Sequence, residues 1–224
     1  MSQIDERVTA VREQVSRAAD RAGRAMDEIT VIAVTKFHPA ELVAQLYAAG
    51  IRDVGENRHQ EAEAKAAALE TLHDLTWHFV GQLQSKKARR VARYARVVHS
   101  VDRDSVVDAL DGAETPVGCF IQVALSDDEH RGGVAPGDVE RLAERVVASR
   151  NLSLVGVMAV APLGEEPRSA FARLRAISER VQAIEPSASS ISAGMSGDFA
   201  EAILEGATHL RVGTAITGNR PPTP

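Results

Sequence analysis

The sequence predicts an α/β fold, a (β/α)8 TIM barrel preceded by one extra N-terminal helix. Two observations carry that prediction. From residue 30 to the end, short apolar runs rich in Val and Ile alternate with longer segments of helical periodicity, and before residue 30 one amphipathic segment stands alone. Periodicity does not show closure, so a doubly wound open sheet is the alternative with the same rhythm.

In chain order, Ile4, Val8, Val11, Val15 and Ala18 recur at helical spacing, which makes the first segment a helix laid on the domain; it lacks the apolar stretch of a secretory leader. Strands are expected at 30–35, 52–55, 77–80, 97–100, 117–124, 153–160, 190–193 and 208–212. Helices fill the gaps near 39–49, 58–70, 86–95, 103–111, 136–149, 166–184 and 198–205. Pro39 and Pro136 stand near helix starts, where a missing N–H costs little. The longest polar, glycine-rich loop is 126–138, and the tail after residue 217 reads as a frayed end. No linker composition interrupts the alternation, so residues 1–224 are expected to form one barrel domain.

Composition bounds the function. A net charge of −5 over 224 residues provides no general field for nucleic acid or an anionic membrane surface, so an anionic ligand has to be gripped locally. No window reaches the roughly 18 apolar residues of a membrane span, and a reducing, cytoplasmic setting is the expectation. The single cysteine, Cys119, excludes an internal disulfide framework and a multi-cysteine metal site; within "VGCFIQVAL" it reads as a buried structural thiol. No histidine pair has ligand spacing on one element, so no metal is expected.

Parallel α/β folds work at the C-terminal ends of their strands. Lys36 and His38 follow the first strand there, Glu56 and Asn57 the second, Gly81 and Gln82 the third, Met158 to Pro162 the sixth, Met195 and Ser196 the seventh, and Arg211 to Thr214 surround the eighth. Strand parity puts Ile32, Val34 and Lys36 on one face. If that face is the interior, Lys36 is its top residue, with its amine in an apolar well that would favour the neutral nucleophile. The plainer alternative is a boundary lysine reaching for solvent.

The segment "AGMSGDFAEAIL" reads as strand, turn and helix, with Ser196 and Gly197 near the helix start and Asp198 as an N-cap. A second glycine turn, "RVGTAITG", follows the last strand. Such turns on strands seven and eight are the usual phosphate-holding arrangement of these barrels. Arg211 shares parity with Gly213 and could pair with a phosphate, a ligand ring nitrogen or a carboxylate inside the barrel; residue statistics favour the last. The basic run "SKKARRVARYAR" is expected to be a solvated helix face, with anion or partner attraction as its alternative, and Glu61 and Glu63 an exposed helix face.

"AVTKFHP", "IRDVGENRHQEAEAK", "WHFVGQLQSKKARRV", "VVHSVDR", "LVGVMAVAP" and "SAGMSGDFAEAILEGATHLRVGTAITG" together resemble, in order and spacing, the pyridoxal phosphate homeostasis proteins, relatives of the alanine racemase barrel. The resemblance covers about residues 4 to 218. It implies pyridoxal 5'-phosphate (PLP) held as a Schiff base on Lys36, its phosphate on Ser196 and on the amides of Gly213 and Thr214, Arg211 facing the pyridine nitrogen, and Asn57 lining the cofactor. It further implies a role in intracellular PLP homeostasis, holding the cofactor and releasing it, with PLP-dependent apo-enzymes as recipients, and no amino-acid turnover. The alternative is a small amino-acid racemase. Two-base racemisation needs an acid–base group on the second face of the cofactor, supplied in the racemases by a tyrosine of an additional domain. The tyrosines here are Tyr47 and Tyr94, both in expected helices, with His38, His78 and His209 as substitutes. Without such a domain a monomer is expected. One departure is "ITG" at 216–218, where the family usually has an aromatic residue in the middle.

Overall fold

A computed structural model describes residues 2–126 and 132–219. The end of the tail and most of the polar segment of the 126–138 loop therefore lie outside the described residues. Eight parallel strands close into a barrel in chain order: β1 Thr30–Val34, β2 Asp53–Glu56, β3 Thr76–Phe79, β4 Val97–Val101, β5 Val117–Gln122, β6 Leu152–Met158, β7 Ser190–Ser192 and β8 His209–Val212. Closure is made by β8 against β1, with Ile32 opposite Arg211 and Ala33 opposite Val212. The open sheet is thereby excluded.

The helices are α1 Gln3–Ala22, α2 Ala40–Ala48, α3 His59–Ala68, α4 Ser85–Val91, α5 Asp104–Asp111, α6 Val139–Val147, α7 Pro167–Gln182, α8 Phe199–Leu204 and α9 Thr214–Thr217. Two expectations are corrected. The basic helix stops at Val91 rather than 95, its last turn loosening before β4, and α9 is a short turn the periodicity did not predict. β5 also ends at Gln122, after which Val123 bridges to Val134 while its N–H still bonds Met158 O on β6.

Helix α1 is opened by a capping box between Ser2 and Asp5 and closed by Gly23 in the left-handed conformation. Its expected apolar stripe is buried, against α8, α9 and α2. It thus fills the place in the helical ring that would otherwise stand open between α8 and α2.

Two layers result from strand alternation. Outward residues such as Ala33, Val54, Trp77, Val98, Cys119, Val157 and Leu210 form the main apolar core with the helices. Ile32, Phe120 and Met158 are buried but stand apart from that core, in the barrel interior, where polar groups also collect: His99, Ser192 and Arg211 are buried there. An interior that carries polar groups below the working face positions the site.

Candidate functional site

Lys36 follows β1 with the inward parity expected of it, since Ile32 and Val34 line the space beside Gly55 on the neighbouring strand. Its side chain is exposed at the barrel mouth. The expected apolar well is therefore not found; Val34 is itself only half-buried, and the strand ends too early to sink the amine.

The residues on either side of Lys36 are clamped. Thr35 is fully buried; its hydroxyl donates to Glu56 Oε1 at 2.6 Å and its carbonyl accepts from Lys65 Nζ at 2.8 Å. Lys65 also pairs with Glu56 at 2.5 Å, so α3 is pinned to the ends of β1 and β2 by a buried ion pair. Burial pushes the Glu56 carboxyl above its ordinary range, against the lowering by Lys65 and Thr35. On the other side, Phe37 N–H donates to Glu61 Oε2 at 3.1 Å, and Phe37 has φ of 69°. That conformation costs a bulky residue about 1–2 kcal/mol. The Glu61 bond and the Arg58 guanidinium, 4.6 Å above the Phe37 ring, hold it in place. Glu61 is thus no idle surface carboxylate, which corrects the expectation for it.

Asn57 lies at the top of β2, half-buried, with Oδ1 buried and without a hydrogen-bond partner among the described residues. It is pressed by Gly81, where a Cβ would come within 2.6 Å of Asn57 Cα; only glycine lets the ends of β2 and β3 approach so closely. A polar cavity of about 570 Å³ opens beside it, lined among others by Arg58, Lys87 and Arg103. One residue of the basic run therefore faces the rim, whereas Arg90 pairs with Glu63 at 2.6 Å on the outer face.

Across the mouth, β7 runs into a turn that Gly194 permits by its φ of 89°. Asp198 occupies the cap position of α8 without capping it; its carboxylate instead accepts from Met195 N–H at 2.6 Å. That corrects its expected N-cap role; separately, the N–H groups of Ser196 and Gly197 have no partner among the described residues. The β8 turn is similar. Gly213 O accepts from Ile216 and Thr217 N–H, both at 2.9 Å, and from Thr217 Oγ1 at 3.2 Å, while Gly213 and Thr214 N–H have no partner among the described residues. Thr217, the departure from the aromatic pattern, therefore steadies the turn. A Cβ at Gly197 or Gly213 would meet nothing within 4 Å, so both turns border open space. Because Val212 pairs with Ala33, the Gly213 turn leaves the sheet beside the segment that ends on Lys36.

Arg211 is buried beneath these turns. Its Nη1 donates to Ser192 Oγ at 2.6 Å and Nη2 to Ala159 O at 2.9 Å, and no carboxylate contacts it among the described residues, which overturns the favoured interior ion pair. Burial lowers it to about 10.

The remaining candidates lie elsewhere. Tyr47 bonds Asp74 on the outside of α2, and Tyr94 stacks on His59. His78 and His209 belong to the barrel interior rather than the rim. Burial pushes the Cys119 thiol up to about 12, consistent with a structural role. Lys65, Glu56 and Glu61 were missed as supports, because each sits in a helical or strand pattern that looks complete without them.

The sequence profile of the alanine racemase N-terminal domain matches residues 7–221. A Mycobacterium tuberculosis protein named pyridoxal phosphate homeostasis protein is 41% identical over 98% of this chain and 93% of its own. The structure of PipY of Synechococcus elongatus with PLP bound is 36% identical, with a TM-score of 0.85, covering 96% of this chain and 100% of that one. Alanine racemase of Corynebacterium glutamicum shares the fold, with a TM-score of 0.70 at 15% identity, and this chain covers 60% of its length.

Proposed function

The chain belongs to the pyridoxal phosphate homeostasis protein family, built on the alanine racemase N-terminal domain, and we propose that it binds PLP reversibly and hands it on without turning over amino acids. The observation that carries this reading is the pairing of one exposed lysine with two turns of unpaired N–H groups on adjoining strands. When bound, PLP supplies an aldehyde, a pyridine nitrogen and a dianionic phosphate. The residues present suit each part.

Lys36 supplies the amine that attaches the aldehyde as a Schiff base with loss of one water, and its clamped neighbours fix where that amine stands. Ser196 Oγ–H and the N–H groups of Gly213 and Thr214 would donate to the phosphate; open space at Gly197 and Gly213 leaves room for its oxygens. Asn57 lines the polar cavity at the rim, and its buried Oδ1 has no hydrogen-bond partner among the described residues. Arg211 lies below with its positive charge uncompensated by any contacting carboxylate. A cation at that depth opposes protonation of a ring nitrogen above it, which weakens carbanion stabilisation and favours holding over catalysis.

A racemase reading finds less support, since Tyr47 is tied to Asp74 on the outside of α2 and Tyr94 is occupied by its stack on His59. The test is spectroscopic. Wild-type protein mixed with PLP should gain a visible Schiff-base band that borohydride fixes covalently, and Lys36→Ala should gain none. A wild-type protein that stays colourless refutes the proposal. Recipient apo-enzyme should regain activity from the loaded protein, and a chiral assay with alanine should show no racemisation.

A further inference from the structure

Arg211 ends a buried column of hydrogen bonds. From β8 its Nη1 donates to Ser192 Oγ on β7 at 2.6 Å, and Ser192 Oγ lies 2.8 Å from His99 Nδ1 on β4. His99 Nε2 lies 2.9 Å from His78 Nδ1 on β3, and His78 Nε2 lies 3.0 Å from Asp53 Oδ1 at the foot of β2. Ser192 and His99 are fully buried, and the Phe120 ring covers His99 at 4.4 Å. His209 also faces the column, its ring 6.3 Å from that of His99 and 6.4 Å from that of His78, with its own Nδ1 engaged by Thr208.

The two ends dictate where every proton sits. A guanidinium only donates and a carboxylate only accepts. Ser192 Oγ accepts from Arg211, so its own proton goes to His99 Nδ1, which must be bare. His99 then carries its proton on Nε2 and donates to His78 Nδ1, and His78 donates from Nε2 to Asp53. Both imidazoles are neutral in this order. The reverse order would make His78 a cation in the same interior as Arg211 and strand the Ser192 proton without an acceptor. Burial, followed by His78, Arg211 and His209, holds His99 well below its ordinary value, in keeping with the neutral form.

We propose that Ser192, His99, His78 and Asp53 are positioning residues for Arg211, a one-directional column that fixes the plane of its guanidinium where it would meet the pyridine ring of PLP. The role rests on the PLP reading above. The column is rigid because five strands contribute to it and none of its bonds can reverse alone. Its purpose is to hold in place a cation that no carboxylate contacts among the described residues, with Asp198 the carboxylate that acts on it from farther off.

Two measurements test it. In the protein without PLP, 15N spectra of His78 and His99 should show both rings neutral with the proton on Nε2; a proton on Nδ1 of either ring at neutral pH overturns the order. With PLP, Ser192→Ala should shift the pH dependence of the visible band by about one unit and weaken PLP binding about tenfold, while Ser192→Thr restores both. A His78→Leu variant, which touches no part of the PLP site, should shift the pH dependence in the same direction. Unchanged pH dependence in Ser192→Ala overturns the positioning role, even if the melting temperature falls. A wild-type protein that takes up no PLP would sink the PLP reading together with this role; a coloured wild type beside an unaltered Ser192→Ala sinks this role alone.

Discussion

The two sides of the barrel mouth are built from different materials. On the β1–β2 side the Lys36 turn is held by side chains: Glu56, Lys65 and Thr35 below, Glu61 and Arg58 beside Phe37. On the β7–β8 side the turns are built from backbone, with Gly194 in a left-handed conformation, open space at Gly197 and Gly213, and Asp198 and Thr217 as the bracing side chains among the described residues. The difference follows from the ligand parts each suits. A single amine has to stand at one point, which needs a rigid scaffold around one residue; an anion with several oxygens is better met by many small donors. The first side should be sensitive to loss of charge, the second to added bulk.

The largest effect should come from breaking the buried pair. Lys65→Met leaves Glu56 buried beside Thr35 without its cation and should cost about 3 kcal/mol, read as a fall in the urea midpoint. The double variant with Glu56→Leu should recover most of it. A single variant as stable as wild type would mean that the clamp is ornamental.

The two sides should also differ in the sign of their pH response. His209, on β8, is lowered from 6.5 to about 4, chiefly by burial, and His99 lies well below its usual value. Groups lowered in the folded state contribute stability that is complete above 6.5 and lost as pH falls toward 4. His209 alone should account for roughly 2–3 kcal/mol across that window. Glu56, raised by burial, has the opposite slope above its ordinary value of 4.5, so Glu56→Gln should steepen the acid loss. Thermal melts from pH 4 to 7 would show both; stability that does not fall with acid contradicts the histidine assignment.

Next in size is Gly194→Ala, where φ of 89° and a Cβ 2.8 Å from Phe199 Cα predict a loss of about 1–2 kcal/mol. Gly213→Ala has open space at the Cβ and should leave the melting temperature within about 2 °C while impairing PLP uptake. The smallest effect is expected of Ser196→Ala, about 1 kcal/mol in PLP affinity by titration and none in stability. Equal losses of stability in all three would mean that the β7–β8 turns do not separate ligand binding from folding.

The backbone-built side was the more legible one. Glycines beside Ser196 and after Arg211 announce turns, and their place on the last two strands follows from counting. All eight strands were also readable, β1, β4, β5 and β6 as runs rich in Val, Ile and Leu and the shorter β2, β3, β7 and β8 from the rhythm of the helical segments around them. The side-chain scaffold was not. Lys65 and Glu56 lie on different elements and meet only because β1 and β2 are neighbours, and nothing in "GENRHQEAEAK" distinguishes a buried lysine from an exposed one. Arg211 was placed inside correctly, but its partner was misjudged: a hydroxyl two residues before a turn looks like filler until β7 lies beside β8. The Lys36 well failed for a simpler reason, since parity gives direction and not depth.

That shallowness has a kinetic meaning. An amine open to solvent leaves any carbonyl compound attached to it within reach of water and of free amines, so attachment and loss need no lid to open. Residence time is then governed by the chemistry of the linkage and the grip on the distant anion, and a passing amine can speed departure without contacting anything else on the surface.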